Sequence, residues 1–478
     1  MDDSPNAIGT AEVPLESTEP MMLARACLLG RFHTPKGMQT LYEYRQAFWH
    51  WHEGRWRLRD LRWVEDEVIK WLADAHVRWT SKDGEGVKRL GPTKTLILDV
   101  VRLMRALVVL EDRRRLPLWL GPVEEEPTPV GSVVAFEDRL VNCVTGEVRE
   151  RDARWFDHAV VRVDYDPDAE CPRWMRCLGE WSEGDEVWKE LLARVMGYAL
   201  MGKREYAKWV LFQGVIRGGK GVILGVLEDL VGPDAYFGTT LNDLAGPFGL
   251  DGVQHSRVLA IGEMSEMAGA DAERAARVIK GMVGRDKVPV QVKYRRQPRG
   301  QVLDCLPILL SNEIPVLPNK GRGLSSKMLV LPFRVSFRDR EDFVLPETLK
   351  GEIAGIAAWA VRGAMRLEAE TDPSRKFVMP EGARERIRAY YIQNHAMDAF
   401  LEARFTENPE GFVGSELLWK QFCDWRGRNN VAMKMSRNML NAELEQKSSW
   451  PIQRGRLGSG GKRGMRGLSL RREFDDEI

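Results

Sequence analysis

The sequence predicts a multidomain α/β protein: a central sandwich on a largely parallel sheet, an α+β region before it and a winged-helix-like basic domain after it. Three observations predict this. At 478 residues the chain exceeds one compact core, since domains run to roughly 100–200 residues. From Lys208 to Phe333 strand-like and helix-like runs alternate, the pattern of a parallel sheet. After Pro380 the chain reads as three helices and then a Gly-rich basic segment.

Composition narrows the class. Hydrophobic residues at 44% and charged residues at 29% describe a globular chain, neither disordered nor collagen-like. No stretch approaches the ~18 uninterrupted apolar residues of a spanning helix. The start MDDSPNAIGTAEVPLESTEP lacks the basic and apolar parts of a signal peptide, so a cytoplasmic protein without a membrane partner is expected. Lys+Arg at 71 against Asp+Glu at 70 leaves a net charge of +1, so a nucleic acid must be held by local patches. Cys27, Cys143, Cys171, Cys177, Cys305 and Cys423 are scattered without a CxxC pair, which reads as reduced structural thiols and disfavours a cysteine-held metal.

In chain order, residues 1–20 are acidic and carry Pro and Ser, the composition of a disordered tail. Residues 21–120 form the α+β region. LYEYRQAFWHWHEGRWRLRD alternates bulky and polar residues around Glu53-Gly54, predicting a hairpin, and VEDEVIKWLADAHVRW and TKTLILDVVRLMRALVVLED carry helical periodicity. Trp49, Trp51, Trp56, Trp63, Trp71 and Trp79 fit core packing better than stacking on bases, and His50 and His52 lack the partners of a metal site. Residues 121–205 read as short strands followed by the amphipathic helix WKELLARVMGYALMG. Residues 206–370 are the central domain, closed by a helix over 346–370, and TDPSRKFVMPEG is a linker to a basic domain at 380–478.

The chemistry concentrates in that central domain. Strand-like KWVLFQ runs through GVIRGGKG into helix-like VILGVLEDLVG, the order a phosphate cradle requires. Gly214 permits a tight exit from the strand, Gly218 and Gly219 let amides approach phosphate oxygens, and Lys220 adds a point charge. With Arg217 and Gly221 these residues make up the nucleotide-binding candidates, for ATP with Mg²⁺. Gly221 and Val222 stand where a hydroxyl normally holds Mg²⁺, so the ion needs another ligand. Glu263, after the apolar run RVLAI, is the candidate for holding metal or polarising water, with Glu266 in reserve. Asn312 ends the apolar run CLPILLS, placed to touch a γ-phosphate or orient water.

In this order the set resembles the superfamily 3 helicases within the AAA+ ATPases, of the phage, plasmid and poxvirus primase-helicase type. WVLFQGVIRGGKG matches their Walker A motif, RVLAIGE Walker B, KGMVGRDKVPVQVKY the motif peculiar to that superfamily and ILLSNEIP the sensor; the likeness spans roughly 130–370 and makes 121–205 the helicase-associated region. It implies an AAA+ P-loop ATPase core that hydrolyses ATP in a ring, expected to be a hexamer. Such a ring translocates on single-stranded DNA at a fork, with a primase or other replication proteins as further partners. No segment resembles the acidic core of a primase. The resemblance also implies sensing by Asn312 and a DNA-facing hairpin at Lys293 and Tyr294, beside Arg295 and Arg296. Where the family places an arginine finger this chain has Lys327, and Arg322 stands nearby as an equal candidate for reaching a neighbour's γ-phosphate. For the C-terminal domain, Arg454, Arg456, Lys462 and Arg463 in a Gly-rich wing predict DNA contact. The alternative is a DNA-binding or origin-recognition scaffold that binds nucleotide without efficient hydrolysis, which the missing hydroxyl favours.

Overall fold

Two tight turns organise the N-terminal region. Arg45 and Gln46 (φ 47° and 69°) and Glu53 and Gly54 (φ 48° and 74°) all take positive φ, the backbone that matches the twist of paired strands. They join Leu41–Tyr44, Ala47–His52 and Arg55–Arg59 into an antiparallel three-stranded sheet. The sequence pattern shows the second turn, at Glu53-Gly54; the first is hidden because Arg-Gln is not a turn-forming pair. The computed structural model describes residues 13–81, 84–111, 114–121, 130–262, 270–291, 299–315, 317, 323–429, 431, 435–457 and 461–471, without the side chains of Arg299 and Lys447. The chain divides into two compact units, one of Met1–Asp168 with Leu200–Gly202 and Asp229–Ala235, the other of Ala169–Ala199, Lys203–Glu228 and Tyr236–Ile478.

In the first unit, helices Pro20–Arg31, Leu61–Asp74 and Lys94–Val108 bury one apolar face each around Leu23, Val64, Val68, Val100 and Met104. Asp60 and Thr93 cap the last two by accepting from the amides of Trp63 and Leu96 at 2.8 and 3.3 Å. The run VEDEVIKWLADAHVRW does not stay helical to its end: after Asp74 the backbone extends at Ala75 and His76–Ser81 pairs with Gly84–Arg89. Leu15, inside the segment expected to be a disordered tail, is buried; its amide donates to the His76 carbonyl and its carbonyl accepts from the Arg78 amide, both at 2.8 Å. A second core gathers Tyr44, Trp49, Trp56, Leu118 and Phe156, and the Trp56 indole donates to the carbonyl of Trp155 at 3.1 Å. Trp49 and Trp56 are therefore core residues, while Trp79 is 38% exposed.

The second unit centres on a five-stranded parallel sheet: β1 (Trp209–Gly214), β2 (Tyr236–Thr239), β3 (Val258–Ile261), β4 (Leu306–Ser311) and β5 (Met328–Phe333). The spatial order is β2-β3-β4-β1-β5. Burial on both faces explains the nearly continuous apolar runs of β1, β3 and β5. Around it lie α1 (Pro172–Ser182), α2 (Glu186–Leu200), α3 (Lys220–Val231), α4 (Ile353–Ala369) and α5 (Ala383–Asn394). The closing helix expected over 346–370 is two helices, Leu345–Gly351 and α4, divided at Glu352. The Glu352 carboxylate is otherwise engaged: it accepts the amides of Arg173 and Trp174 at 2.9 Å each, capping the start of α1.

Helices α2 and α4 meet without side chains between them. A Cβ added at Gly197 would lie 2.5 Å from the Ala364 amide nitrogen, and one at Gly363 would lie 2.3 Å from the Ala193 carbonyl oxygen. Helix α5 connects two cores. Its Ala383 and Tyr390 are buried with the sheet, Tyr390 edge-on to Trp209 at 6.0 Å, while Tyr391 and Ile392 pack with the helices that follow. Those are Ala396–Arg404, Ser415–Arg428 and Arg437–Lys447, folded on an antiparallel sheet in which Arg463–Leu470 lies between Phe405–Gly414 and Gln453–Arg456. Among the described residues no helix is long and apolar enough to cross a membrane.

Candidate nucleotide-binding site

The turn between β1 and α3 is shaped by positions that exclude side chains. Gly214 has φ 149°, and a Cβ there would lie 1.9 Å from the Phe333 carbonyl oxygen. Gly219 has φ 91°, and its Cβ would lie 2.5 Å from the Trp181 indole nitrogen on α1. The loop is thus wedged between the end of β5 and a buried tryptophan, and the Val215 amide ties it to the Phe333 carbonyl at 3.0 Å. Among the described residues, the amides of Gly218 and Gly219 donate to no acceptor, at the N-terminus of a twelve-residue helix. Unpaired amides at a helix N-terminus attract anions.

Lys220 opens α3 and is 6% exposed. Its ammonium donates to the Gly214 and Val215 carbonyls at 2.8 Å each and to Asn312 Oδ1 at 2.6 Å. The candidates Lys220 and Asn312, 92 positions apart, therefore meet at the C-terminal edge of the sheet, where β4 ends beside β1. Ligands of open α/β sheets bind at that edge. Arg217 holds φ 58° and pairs with Glu341 at 2.9 Å, while its carbonyl accepts from the Phe337 amide at 3.0 Å. Gly221 is exposed, and a Cβ there would meet nothing within 4 Å.

Two contributors escape a reading of motifs. Gln213, the penultimate residue of β1, donates to the Asn312 carbonyl at 3.1 Å and accepts from Arg386 Nε at 2.6 Å. Arg386 lies on α5, in the segment assigned from sequence to the C-terminal domain. Burial, followed by the charge of Arg334, lowers the Arg386 pKa from its usual value. A chain of contacts therefore runs from α5 through Gln213 and Asn312 to Lys220, and only proximity in the fold exposes it.

Glu263, its reserve Glu266, Arg322, and Lys293, Tyr294, Arg295 and Arg296 lie outside the described residues. The flanks of two of these segments are described. Gly262 follows β3, which pairs with β4, the strand that leads into Asn312. Val288–Val290 and Arg299–Gln301 pair antiparallel and bracket 292–298. No cluster of three His, Cys, Asp or Glu residues that could hold a metal occurs among the described residues.

Lys327 immediately precedes β5, next to Lys208, whose pKa is lowered by burial and then by the Lys327 charge. Trp209 pairs with Met328 and Gly214 with Phe333, so Lys327 lies where the strands begin and Lys220 where they end. Five residues of strand separate the two edges by about 17 Å, beyond the reach of a lysine toward the loop of its own chain. In the C-terminal sheet Arg456, Lys462 and Arg463 are exposed and form no ion pair among the described residues, whereas Arg454 pairs with Glu445 at 3.0 Å.

No protein-family model and no curated protein matches the chain. Solved structures similar to it include an apo structure of the NrS-1 C-terminal region (305-718), at 12% identity and TM-score 0.49, covering 95% of this chain and 100% of that one. Two A-form apo structures of the same region are similar at 11% and 10% identity and TM-scores of 0.46 and 0.48, each covering 95% of this chain and 100% of that one.

Proposed function

We propose that the protein is an ATP-dependent replicative DNA helicase of the superfamily 3 type, with an AAA+ P-loop core, working as a ring of identical subunits on single-stranded DNA. The observation that carries this reading is the 2.6 Å contact between Lys220 and Asn312, which sets a loop cation and a strand-end amide at one point. The strand-loop-helix order, the place of β1 between β4 and β5 in the sheet and the unpaired loop amides support it. In this reading the loop amides and Lys220 grip the phosphates, Asn312 orients the terminal phosphate or the attacking water, and Glu263 polarises that water. Bound Mg²⁺ supplies charge neutralisation at the phosphates. Lys327 or Arg322 completes the site of the next subunit, and the position of Lys327 at the far edge of the sheet favours action between subunits. The C-terminal helices and sheet serve as a winged helix, with Arg456, Lys462 and Arg463 on DNA phosphates.

A second reading, a scaffold that binds nucleotide without efficient hydrolysis, draws on Gly221, where the Mg²⁺-holding hydroxyl is missing. Phosphate release by the parent chain, measured with Mg²⁺ in the presence and absence of single-stranded DNA, separates the two. The helicase reading expects turnover that rises with DNA. No turnover under either condition sinks it. Gly221→Ser adds a hydroxyl where a Cβ meets nothing within 4 Å; a scaffold gains hydrolysis from it, whereas a working motor changes by less than roughly threefold, under ~1 kcal/mol in the barrier.

A further inference from the structure

The first unit carries a cavity that the preceding reading leaves without a role. It has a volume of about 350 Å³ and lies between the Ala47–His52 strand and helix Leu61–Asp74, with Arg31, Thr40, His50, His52, Arg59 and Trp63 among its walls. That size suits a small organic ligand, since such pockets run to ~300–1,000 Å³. Its rings form a nearly continuous surface: His50 and His52 are stacked with centroids 5.8 Å apart and planes 19° apart, and His50 lies 4.9 Å from Trp63. The Arg59 guanidinium sits over the Trp63 ring at 4.8 Å and has no carboxylate partner among the described residues. The acid in the wall, Glu67, is already neutralised by Arg31 at 2.6 Å and Lys70 at 2.7 Å. His50 Nδ1 and Arg59 Nε are buried and make no hydrogen bond, which leaves both able to meet a polar group in the cavity.

We propose that this cavity binds one phosphorylated nucleoside unit, its base against the rings of His50, His52 and Trp63 and its phosphate against Arg59. A flat ring matches the stacked faces, and the unpaired guanidinium matches an anion. A metal ion does not fit, because the histidines and Glu67 do not converge into a three-ligand cluster. Burial, reinforced by Arg59 and His52, pushes the His50 imidazole down to about 4, so at neutral pH it meets the ligand uncharged. Arg31, Arg59, His33, His52 and Glu67 are the other titratable groups of the wall, and they leave it positive on balance. The same chemistry is offered by a free mononucleotide and by the terminal nucleotide of a single strand.

The test uses the full chain carrying Lys220→Ala, which silences the phosphate loop and makes the readout independent of hydrolysis. Isothermal titration with dAMP, and with a single-stranded oligodeoxynucleotide with and without a 5′-phosphate, identifies the source. Binding of dAMP points to a free nucleotide; binding that needs the 5′-phosphate on the strand points to a strand end. In either case Arg59→Gln, made in the same background, weakens the interaction by roughly tenfold or more, as loss of a charge-assisted contact does. His52→Ala, at a half-buried position, provides a second variant if Arg59→Gln does not fold, and is expected to weaken it in the same direction. The proposal is overturned if dAMP does not bind and the 5′-phosphate changes nothing. It is equally overturned if both substitutions leave the binding intact.

Discussion

Lys220→Ala tests the phosphate loop most directly, and its effect has two separable parts. The side chain is 6% exposed and donates to Gly214 O, Val215 O and Asn312 Oδ1 at 2.6–2.8 Å. Truncation removes charge-assisted bonds of ~1.5–3 kcal/mol each, but it also opens the site to water, which returns most of that, so a net cost of about 2 kcal/mol is expected. The melting transition of the second unit then drops by several degrees without loss of fold. Turnover falls much further, because a fixed cation at a developing negative charge is worth ~2.7–4 kcal/mol, or a factor of roughly 10²–10³. The assay pairs phosphate release at saturating ATP with a thermal melt of the same preparation. Turnover within roughly threefold of the parent, under ~1 kcal/mol in the barrier, refutes the assignment of the loop. An unchanged melt refutes the structural role given to the ammonium.

Arg386→Ala cuts the bond to Gln213 and loosens Asn312 from a distance; kcat is expected to fall by roughly three- to tenfold, ~1 kcal/mol, with KM nearly unchanged, and steady-state kinetics that show an unaltered kcat remove the relay. Gly363→Ala drives a methyl against the Ala193 backbone, where overpacking costs at least ~1–3 kcal/mol, while Gly225→Ala, with open space at its Cβ, gains up to ~1 kcal/mol; melting curves of the two variants should move in opposite directions. For pH, the folded His50 titrates at about 4 and the unfolded residue near 6.5, so between these values the unfolded chain takes up a proton that the fold refuses. The first unit therefore loses stability as pH falls from 6.5 to about 4, and His50→Gln flattens that slope in urea unfolding followed against pH.

What was legible in the sequence was local. The turn at Glu53-Gly54, the strand-loop-helix run around GVIRGGKG and the amphipathic stripes of the helices each declare themselves within twenty residues or so, because propensity and period act at that range. Contacts between distant segments left no such trace. Nothing in the neighbourhood of Trp181 announces that it will close the loop at Gly219, and Arg386 reads as one more cation on a polar helix. Leu15 sits in a polar tail, yet one aliphatic side chain with two backbone bonds is enough to fix it. Strand Phe405–Gly414 contains Asn408, Pro409 and Gly411, residue types that favour turns over strands; its register shift between Asn408 and Phe412 absorbs them as an irregularity. At Glu352 helical periodicity continues while the backbone does not, and the carboxylate there caps a different helix, a contact the periodicity cannot show.

The seam where α2 meets α4 sets an unusual limit on variation. In most cores an enlarged side chain finds relief when its neighbour shrinks, so paired replacements can drift together while total volume is kept. Here the opposing atoms are main chain, which has nothing to surrender. Gly197 and Gly363 consequently admit no compensating partner, and a saturation library across both helices should return glycine alone at these two positions while the outward faces accept nearly anything.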